Sequence, residues 1–318
     1  MKNKFNYIIY HKNCLDGFSG FFLFKRLNLS GNDAIIYPDV PSTKIVPPMI
    51  SNKNVIIIDV AYSLDILEKI FALAKSVLFI DHHITTKDYS KILSNKYDQH
   101  IFFNEKYSAA GLVWKYFYPK QKMPRFIRYI QDNDIGAWKL KYTKEFINAI
   151  QVIYKLDPSY KNINSWNNLF DSNEVKKLIK LGIHYQKYKI YLLDQNVKRY
   201  SLEQFPSEKL IQDNFNLKNL IGEIGKYKVA VYNGGCPNVS SLGEQAMNTI
   251  DCDFAFIWNL NLEKKDIVVS LRSKDSGVDV SKIAECFGGG GHHGASAFSF
   301  SIRKYNIQDL FLENSLPR

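Results

Sequence analysis

Residues 77–83 read Val-Leu-Phe-Ile-Asp-His-His and are the most informative stretch of the 318-residue sequence. The first four are apolar, with β-branched and aromatic members, which predicts a short buried strand. Asp81, His82 and His83 follow that strand directly. In open parallel sheets ligands bind beyond the carboxyl ends of the strands, so these three side chains are candidates for a functional site.

Apolar runs of the same kind occur upstream and predict three more buried strands, at residues 7–10, 34–37 and 55–59. Amphipathic stretches at residues 18–27 and 63–74 lie between them and predict helices. Strands that alternate with helices form parallel sheets, because a parallel pair needs a long crossover connection. We therefore predict an α/β fold whose N-terminal domain is a doubly wound parallel sheet.

Two of these upstream strands also lead into polar groups. The strand at 7–10 is followed by His11 and Asp16, and the strand at 55–59 ends on Asp59. A single acid after a strand is usually a helix cap, but three sets at one sheet edge predict a ligand site. Carboxylate and imidazole groups suit Mn²⁺, Co²⁺, Fe²⁺ or Zn²⁺, and an oxygen-rich set favours Mn²⁺ or Mg²⁺.

The rest of the chain changes character twice. From residue 123 the pattern turns helical, and this part contains two acids, Asp132 and Asp134. A mixed polar run with Pro206 follows, and strands and helices then resume up to a run of glycines at 288–291. We predict three parts, which are a domain over residues 1–200, a linker over 201–225 and a smaller C-terminal α/β domain over 226–318.

Composition narrows the class of protein. The formal net charge of +11 comes from scattered lysines, which fits either a generally Lys-rich composition or a field for an anionic substrate. The four cysteines form no close pair, which argues against a disulfide framework or a structural zinc site. No apolar run approaches the ~18 residues that span a bilayer, and the N-terminus does not read as a signal peptide. We expect a soluble cytoplasmic protein.

Six segments, taken together and in order, carry a family resemblance. They are HKNCLDGF (11–18), IIIDVAYS (56–63), FIDHH (79–83), YIQDNDIGAW (129–138), VVSLRS (268–273) and GGGGHHGASAF (288–298). The chain resembles the DHH phosphoesterases with a C-terminal DHHA1 domain, the superfamily of RecJ-type exonucleases, nano-RNases and family II pyrophosphatases. Its first motif is similar to an HxNCxDGF subgroup of bacterial and viral phosphohydrolases near the oligoribonuclease-like branch.

The resemblance implies a site for two divalent metal ions, Mn²⁺ with Mg²⁺ or Co²⁺ as alternatives. It implies that His11 binds the first ion, that Asp59 bridges both, and that Asp16 and His82 bind the second. Asp132 should complete the shell of the second ion. The implied metal ligands are therefore His11, Asp16, Asp59, His82 and Asp132.

Three further roles follow from the same resemblance. Asp134 is the nearest rival of Asp132 for the last ligand position. Asp81 should orient a histidine or close the bridge, although some family members use this acid as a direct ligand. His83 should face the scissile phosphate, so Asp81 and His83 are the implied catalytic residues.

Cys14 marks a departure from the family pattern, because many members carry a second acid at that place. Three possibilities are open. Cys14 binds the first metal as a thiolate, or water or Asn13 fills the gap, or Cys14 is a small packed residue. A thiolate is a soft ligand and does not match a site that otherwise consists of hard ligands. We therefore expect Cys14 to be a packed residue.

The glycine run has its own chemistry. Gly289, Gly290 and Gly291 let backbone N–H groups approach a phosphate, and His292 can donate to a phosphate oxygen or stack on a base. Arg272 is the candidate for a bidentate phosphate clamp. A flexible loop and an ordinary surface arginine are the alternatives. We expect substrate to bind in a cleft between the two domains.

We therefore expect a hydrolase that cleaves phosphodiester or phosphomonoester bonds of short oligonucleotides or nucleotides by a two-metal mechanism. Three alternatives remain, which are a pyrophosphatase or polyphosphatase, a cyclic-dinucleotide phosphodiesterase, and a DHH module that binds nucleic acid without cleaving it. Loss of several ligands would mark the last case, and only one place is changed here. The sequence leaves the exact substrate and the oligomeric state open, a homodimer included.

Overall fold

The computed structural model describes residues 5–97, 100–222, 225–234 and 239–312. The chain divides into two compact units, Met1–Lys187 and Tyr188–Arg318. Each unit contains its own sheet with helices, so the predicted α/β fold class is confirmed. The predicted cleft between two domains stays a prediction.

The first unit is built on a five-stranded sheet in the order β2-β1-β3-β4-β5, in which every neighbouring pair is parallel. The four strands predicted from the sequence are all present. The fifth is only four residues long and begins with an exposed histidine, so it carried no clear apolar signal. The strands are β1 Phe5–His11, β2 Ser30–Asp39, β3 Asn54–Ile58, β4 Ser76–Asp81 and β5 His100–Phe103.

Helices cover both faces of this sheet. Alternate residues of β1 belong to different clusters, since Ile8 packs with α1 and α4 while Ile9 packs with α2. A strand buried on both faces reads as a continuous apolar run, as β1 does. The helices are α1 Leu15–Lys25, α2 Leu64–Leu73, α3 Lys87–Lys96, α4 Ala109–Phe117, α5 Arg125–Asp134, α6 Thr143–Ile153, α7 Tyr160–Trp166 and α8 Ser172–Asn196, which crosses the boundary between the units.

The second unit has a six-stranded sheet in the order β10-β11-β9-β8-β7-β6. Its pairs are antiparallel except for β7 with β8, which is parallel. The strands are β6 Ser201–Phe205, β7 Tyr227–Asn233, β8 Phe254–Asn261, β9 Asp266–Ser273, β10 Gly290–His292 and β11 Ala295–Ser301. The helices are α9 Glu208–Asp213, α10 Phe215–Gly222, α11 Val239–Thr249 and α12 Val280–Glu285.

The linker predicted over residues 201–225 is wrong for the described part of that segment, which holds β6, α9 and α10 and lies within the second unit. Leu202 and Phe205 are buried, and they anchor β6 in the sheet. Ser207 starts α9, and its hydroxyl accepts a hydrogen bond of 3.1 Å from the backbone N–H of Leu210. Residues 223 and 224 lie outside the described residues.

No described helix combines the length and the apolar character needed to cross a membrane. The cytoplasmic location stays a prediction.

Candidate metal centre

The three predicted strand ends meet at one edge of the first sheet. Tyr10 of β1 pairs with Ile58 of β3, and Ile58 pairs with Ile80 of β4. Because these strands are parallel and neighbouring, the residues that follow Tyr10, Ile58 and Ile80 emerge at the same edge. Those residues are His11, Asp59 and Asp81, and His82 and His83 follow the last of them.

Asp59 leaves the sheet in an unusual backbone conformation. Its φ is +67°, in the left-handed region that aspartate tolerates better than most side chains. Its backbone N–H donates a hydrogen bond of 3.0 Å to the carbonyl oxygen of Ile80, which ties the turn to β4. Strained conformations of this kind cluster at functional sites. No feature of the sequence indicated it.

The two carboxylate oxygens of Asp59 face two different sets of side chains. Oδ2 lies 3.4 Å from Nδ1 of His11 and 3.2 Å from Sγ of Cys14. Oδ1 lies 3.3 Å from Nε2 of His82 and 3.9 Å from Nδ1 of His83. Asp59 therefore offers one carboxylate oxygen to each set of side chains.

A second set of potential ligands surrounds His82. Its Nε2 lies 3.3 Å from Oδ2 of Asp134 and 3.9 Å from Oδ2 of Asp16. His82, Asp16 and Asp134 form one of three groups of possible metal ligands among the described residues. The others are His11 with Cys14 and Asp59, and Asp59 with His82 and His83.

The N-terminus of α4 holds Asp16 in place. The carboxylate accepts hydrogen bonds of 2.6 Å from the N–H of Ala109 and 3.1 Å from the N–H of Ala110. Ser108 caps the same helix, since its Oγ accepts from the N–H of Gly111. The backbone dipole of a helix start favours an anion there, so α4 orients a carboxylate that is 1% exposed.

Asp132, the expected ligand from α5, lies outside these groups. Its Oδ1 accepts from the N–H of Lys139 at 2.8 Å, and its Oδ2 accepts from the N–H of Leu140 and the hydroxyl of Thr143. Asp132 therefore fastens the loop after α5 to the start of α6. Residues two apart on a helix point about 200° apart, so Asp134 faces the cluster while Asp132 faces the loop.

Asp81 contacts His83 and belongs to none of the three groups of possible metal ligands among the described residues. Its Oδ1 lies 2.7 Å from Nδ1 of His83, and its Oδ2 accepts from the hydroxyl of Thr86 at 2.5 Å. The carboxylate is fully buried, so both of its oxygens are satisfied within the protein. Thr86 lies five residues beyond Asp81, and no sequence signal pointed to it.

Unsatisfied buried atoms indicate that the cluster fits cations. Five buried side-chain nitrogen or oxygen atoms of the described residues have no hydrogen-bond partner, and three belong to this cluster, namely His11 Nδ1, Asp59 Oδ1 and Asp134 Oδ2. A buried polar atom without a partner costs about 1–3 kcal/mol, which a bound ion would offset. The nitrogen and oxygen donors match the preferences of divalent first-row ions and Mg²⁺.

The charged groups of the cluster shift one another's pKa values. Burial by itself would raise the pKa of Asp59, but the neighbouring histidines outweigh it and lower that pKa to about 2. Burial would lower the pKa of His82, but Asp59, Asp16 and Asp134 raise it to about 9. Burial and then the charge of Asp59 raise the pKa of Asp134 to about 6. The carboxylates of the cluster therefore stabilise positive charge beside them, as a cation site requires.

The residues predicted to bind substrate lie in the second unit. His292 of β10 pairs with Ala295 of β11, and Ala295 pairs with Arg272 of β9. Residues directly opposite one another in a sheet share a face, so His292 and Arg272 lie on one face with a small alanine between them. The Arg272 guanidinium donates to the Leu271 carbonyl at 2.7 Å and to the Ser240 hydroxyl at 2.9 Å.

The glycines before His292 differ in whether packing requires the absence of a side chain. A Cβ at Gly289 would lie 2.2 Å from the carbonyl oxygen of Ala297, and one at Gly291 would lie 2.5 Å from Cα of Ser296. Both glycines therefore allow β10 to approach β11 closely. A Cβ at Gly290 would meet no described atom within 4 Å, so packing does not explain that glycine.

Comparison with known proteins places the fold. No family model matches the chain. The pGpG-specific phosphodiesterase PggH of Vibrio cholerae, a DHH-fold protein, is similar with a TM-score of 0.50 and 14% identity, over 94% of each chain. RecJ of Thermus thermophilus, solved in complex with Mn²⁺, has a TM-score of 0.46 and 13% identity over 94% of this chain and 50% of its own. The HxNCxDGF subgroup stays a prediction.

One curated protein is related at the level of sequence. The uncharacterized protein R106 of Acanthamoeba polyphaga mimivirus is 32% identical over 314 residues, which cover 94% of this chain and 68% of R106. Identity of this extent across nearly the whole chain includes both structural units. The chain therefore belongs to the same protein family as R106.

Proposed function

We propose that this chain is a metal-dependent phosphoesterase that hydrolyses phosphodiester or phosphomonoester bonds in short oligonucleotides or nucleotides, with two divalent ions bound. The observation that carries the proposal is the position of Asp59, whose Oδ2 faces His11 and whose Oδ1 faces His82. The shared fold with a phosphodiesterase is consistent with it.

The ligands divide between the two ions. His11 and Asp59 would hold the first, and Asp16, His82 and Asp134 would hold the second with Asp59. Asp134 replaces Asp132 in the expected ligand set, because its Oδ2 is unpaired and lies 3.3 Å from Nε2 of His82. When bound, two such ions lower the pKa of a water molecule and offset charge on phosphate oxygens.

His83 acts on the substrate in this proposal. Nδ1 of its ring donates to Asp81 at 2.7 Å, and this contact raises the pKa of His83, so that Nε2 of the protonated ring can donate a hydrogen bond to a phosphate oxygen. Its side chain is 34% exposed, in contrast to the 12% of His82, so substrate can reach it. Asp81 and Thr86 position His83 and do not touch the reacting atoms.

The second unit supplies contacts that select the substrate. Arg272 and His292 lie on one sheet face separated by Ala295, and a Cβ at Gly290 would meet no described atom within 4 Å, so the backbone there is open to a ligand. Such a set suits a terminal phosphate or a nucleoside. The net charge of +11 would help to attract a polyanion.

The test is a panel of substrates incubated with the 318-residue chain and Mn²⁺. The panel holds short oligoribonucleotides and oligodeoxyribonucleotides, linear and cyclic dinucleotides, mononucleotides and pyrophosphate. We expect release of mononucleotide or phosphate from the short linear substrates, and none from the Asp59→Asn variant. Preference for pyrophosphate or for cyclic dinucleotides would favour those alternatives, and binding of oligonucleotides without cleavage in any metal would overturn the enzymatic proposal.

A further inference from the structure

The group formed by His11, Cys14 and Asp59 contains one donor that the proposed ligand set does not use, the thiol of Cys14. Its Sγ lies 3.2 Å from Oδ2 of Asp59, and Nδ1 of His11 lies 3.4 Å from the same oxygen. Ligand atoms around a tetrahedral Zn²⁺ at bond lengths of about 2.0–2.3 Å lie about 3.3–3.6 Å apart. The three donors are therefore spaced closely enough to share one ion.

The backbone around Cys14 directs the sulfur into the cluster. Asn13 has a φ of +58°, and Cys14 then adopts an extended conformation at the N-cap of α1. Sγ accepts a hydrogen bond of 3.5 Å from the N–H of Gly17, in the first turn of that helix, and helix N-termini stabilise thiolates.

Neither a packed cysteine nor a ligand role for Asn13 agrees as well with these contacts. A packed cysteine would be surrounded by apolar groups, whereas this sulfur lies between the Asp59 carboxylate and a backbone N–H. Asn13 is exposed, whereas Cys14 is partly buried beside the Asp59 carboxylate. Nδ1 of His11, which lies 3.4 Å from the same Asp59 oxygen as the sulfur does, is a buried atom without a hydrogen-bond partner, so this side of Asp59 is suited to a cation.

We propose that Cys14 is a ligand of the ion held by His11 and Asp59, which makes this a nitrogen, sulfur and oxygen site that prefers Zn²⁺ or Co²⁺ to Mg²⁺. The inference rests on the proposed function, because it concerns one half of the same two-metal centre. When the ion binds, the Cys14 S–H bond breaks, sulfur keeps the electron pair as a metal ligand, and the proton leaves to solvent. Soft donors select such ions over Mg²⁺.

Cobalt spectroscopy of the 318-residue chain separates the two proposals. Visible d–d bands report bound Co²⁺ whatever its ligands, and a near-ultraviolet charge-transfer band reports a thiolate ligand. We expect both in the unmodified protein and only the visible bands in Cys14→Ser. Cys252→Ser and Cys286→Ser are matched controls, because both cysteines are partly buried and lie outside the three groups. Both should keep the charge-transfer band.

The outcomes have distinct meanings. Visible bands without a charge-transfer band in the unmodified protein would overturn the role of Cys14 and leave the metal centre intact. A charge-transfer band that survives in Cys14→Ser would overturn it too. No Co²⁺ binding at all would instead contradict the proposed function.

A second variant keeps the test informative if Cys14→Ser does not fold. Cys14→Asp supplies an oxygen ligand of similar size, so it should retain the ion, lose the charge-transfer band and shift its preference from Zn²⁺ towards Mn²⁺. Loss of partners around a metal site weakens affinity by about 10–100-fold, and we expect a fall in Zn²⁺ affinity of at least ~10-fold, measured by competition with a chelator. Unchanged relative affinities for Zn²⁺ and Mn²⁺ would count against the proposal.

Discussion

The Nε2 atom of His82 lies 3.3 Å from Oδ2 of Asp134, the last residue of α5. Asp132, two residues earlier, instead accepts three hydrogen bonds from the segment that leads into α6. The two acids therefore have different surroundings, since Asp134 belongs to the candidate metal centre and Asp132 fastens a loop. This difference leads directly to a pair of matched variants.

Asp134→Asn should lose one of two bound ions, because it removes a carboxylate from the group around His82. Asp132→Asn should keep both ions and lower the free energy of unfolding by about 1–3 kcal/mol, since its amide cannot accept all three hydrogen bonds. Titration calorimetry with Mn²⁺ gives the stoichiometry, and urea unfolding gives the stability. Loss of an ion in Asp132→Asn alone would restore Asp132 as the ligand.

Asp59→Asn should lower turnover at least ~100-fold and weaken both ions, because each carboxylate oxygen faces a different group of ligands. Asparagine tolerates the φ of +67°, so the variant should fold where alanine would add strain. Asp39 is a matched control, since it is a buried acid at the end of β2. Its carboxylate accepts hydrogen bonds from the hydroxyl groups of Tyr62 and Thr43. Folded Asp59→Asn with near-normal activity in Mn²⁺ would contradict the two-metal assignment, whereas Asp39→Asn should keep both ions.

Asp81→Asn should lower kcat by about 10–100-fold without changing the number of bound ions, because it weakens the contact that orients the His83 ring. Thr86→Val removes only the hydroxyl that donates to the other oxygen of Asp81, so its effect should be smaller. Steady-state kinetics combined with metal analysis makes the comparison. An ion lost from Asp81→Asn would identify Asp81 as a direct ligand instead.

His292→Ala and Arg272→Ala should retain both ions and lose about 1.5–3 kcal/mol of transition-state stabilisation on the best oligonucleotide substrate, roughly 10–100-fold in kcat/KM. Bis-p-nitrophenyl phosphate, a minimal ester, should be affected much less. Arg303→Ala is the control, because Arg303 is exposed in the same unit and lies beyond the end of β11. Equal losses on both substrates, or loss of an ion, would place these residues in the metal centre.

Gly17→Ala should weaken the first ion by at least ~10-fold, because a Cβ there would lie 2.7 Å from Cβ of His11 and 3.0 Å from Oδ2 of Asp59. Gly20 lies one turn later on α1, and its Cβ would lie 2.7 Å from Cγ2 of Ile58. Gly20→Ala should therefore destabilise the fold by about 1–3 kcal/mol through overpacking and leave ion affinity unchanged. Equal ion affinity in both variants would show that Gly17 is needed for packing alone.

The first sheet and the edge that carries the site follow from sequence patterns alone. Four short apolar runs separated by amphipathic stretches can bury their surfaces only as parallel strands between helices, and parallel strands deliver their last residues to one edge. This is why the sequence is enough to place His11, Asp59 and Asp81 together. The sequence pattern did not reveal β5 and β6. Strands of four and five residues show too little periodicity to be distinguished from a loop.

Three details of the site depended on the tertiary structure. The rotation of α5 about its axis, set by the packing of Phe126 and Ile130 in the core, turns Asp134 rather than Asp132 towards His82. The left-handed backbone of Asp59 and the approach of Cys14 to its carboxylate arise where β3 and α1 meet. Sequence specifies which side chains leave a strand or helix, but their direction depends on how that element packs against its neighbours, and ligand geometry is a matter of direction.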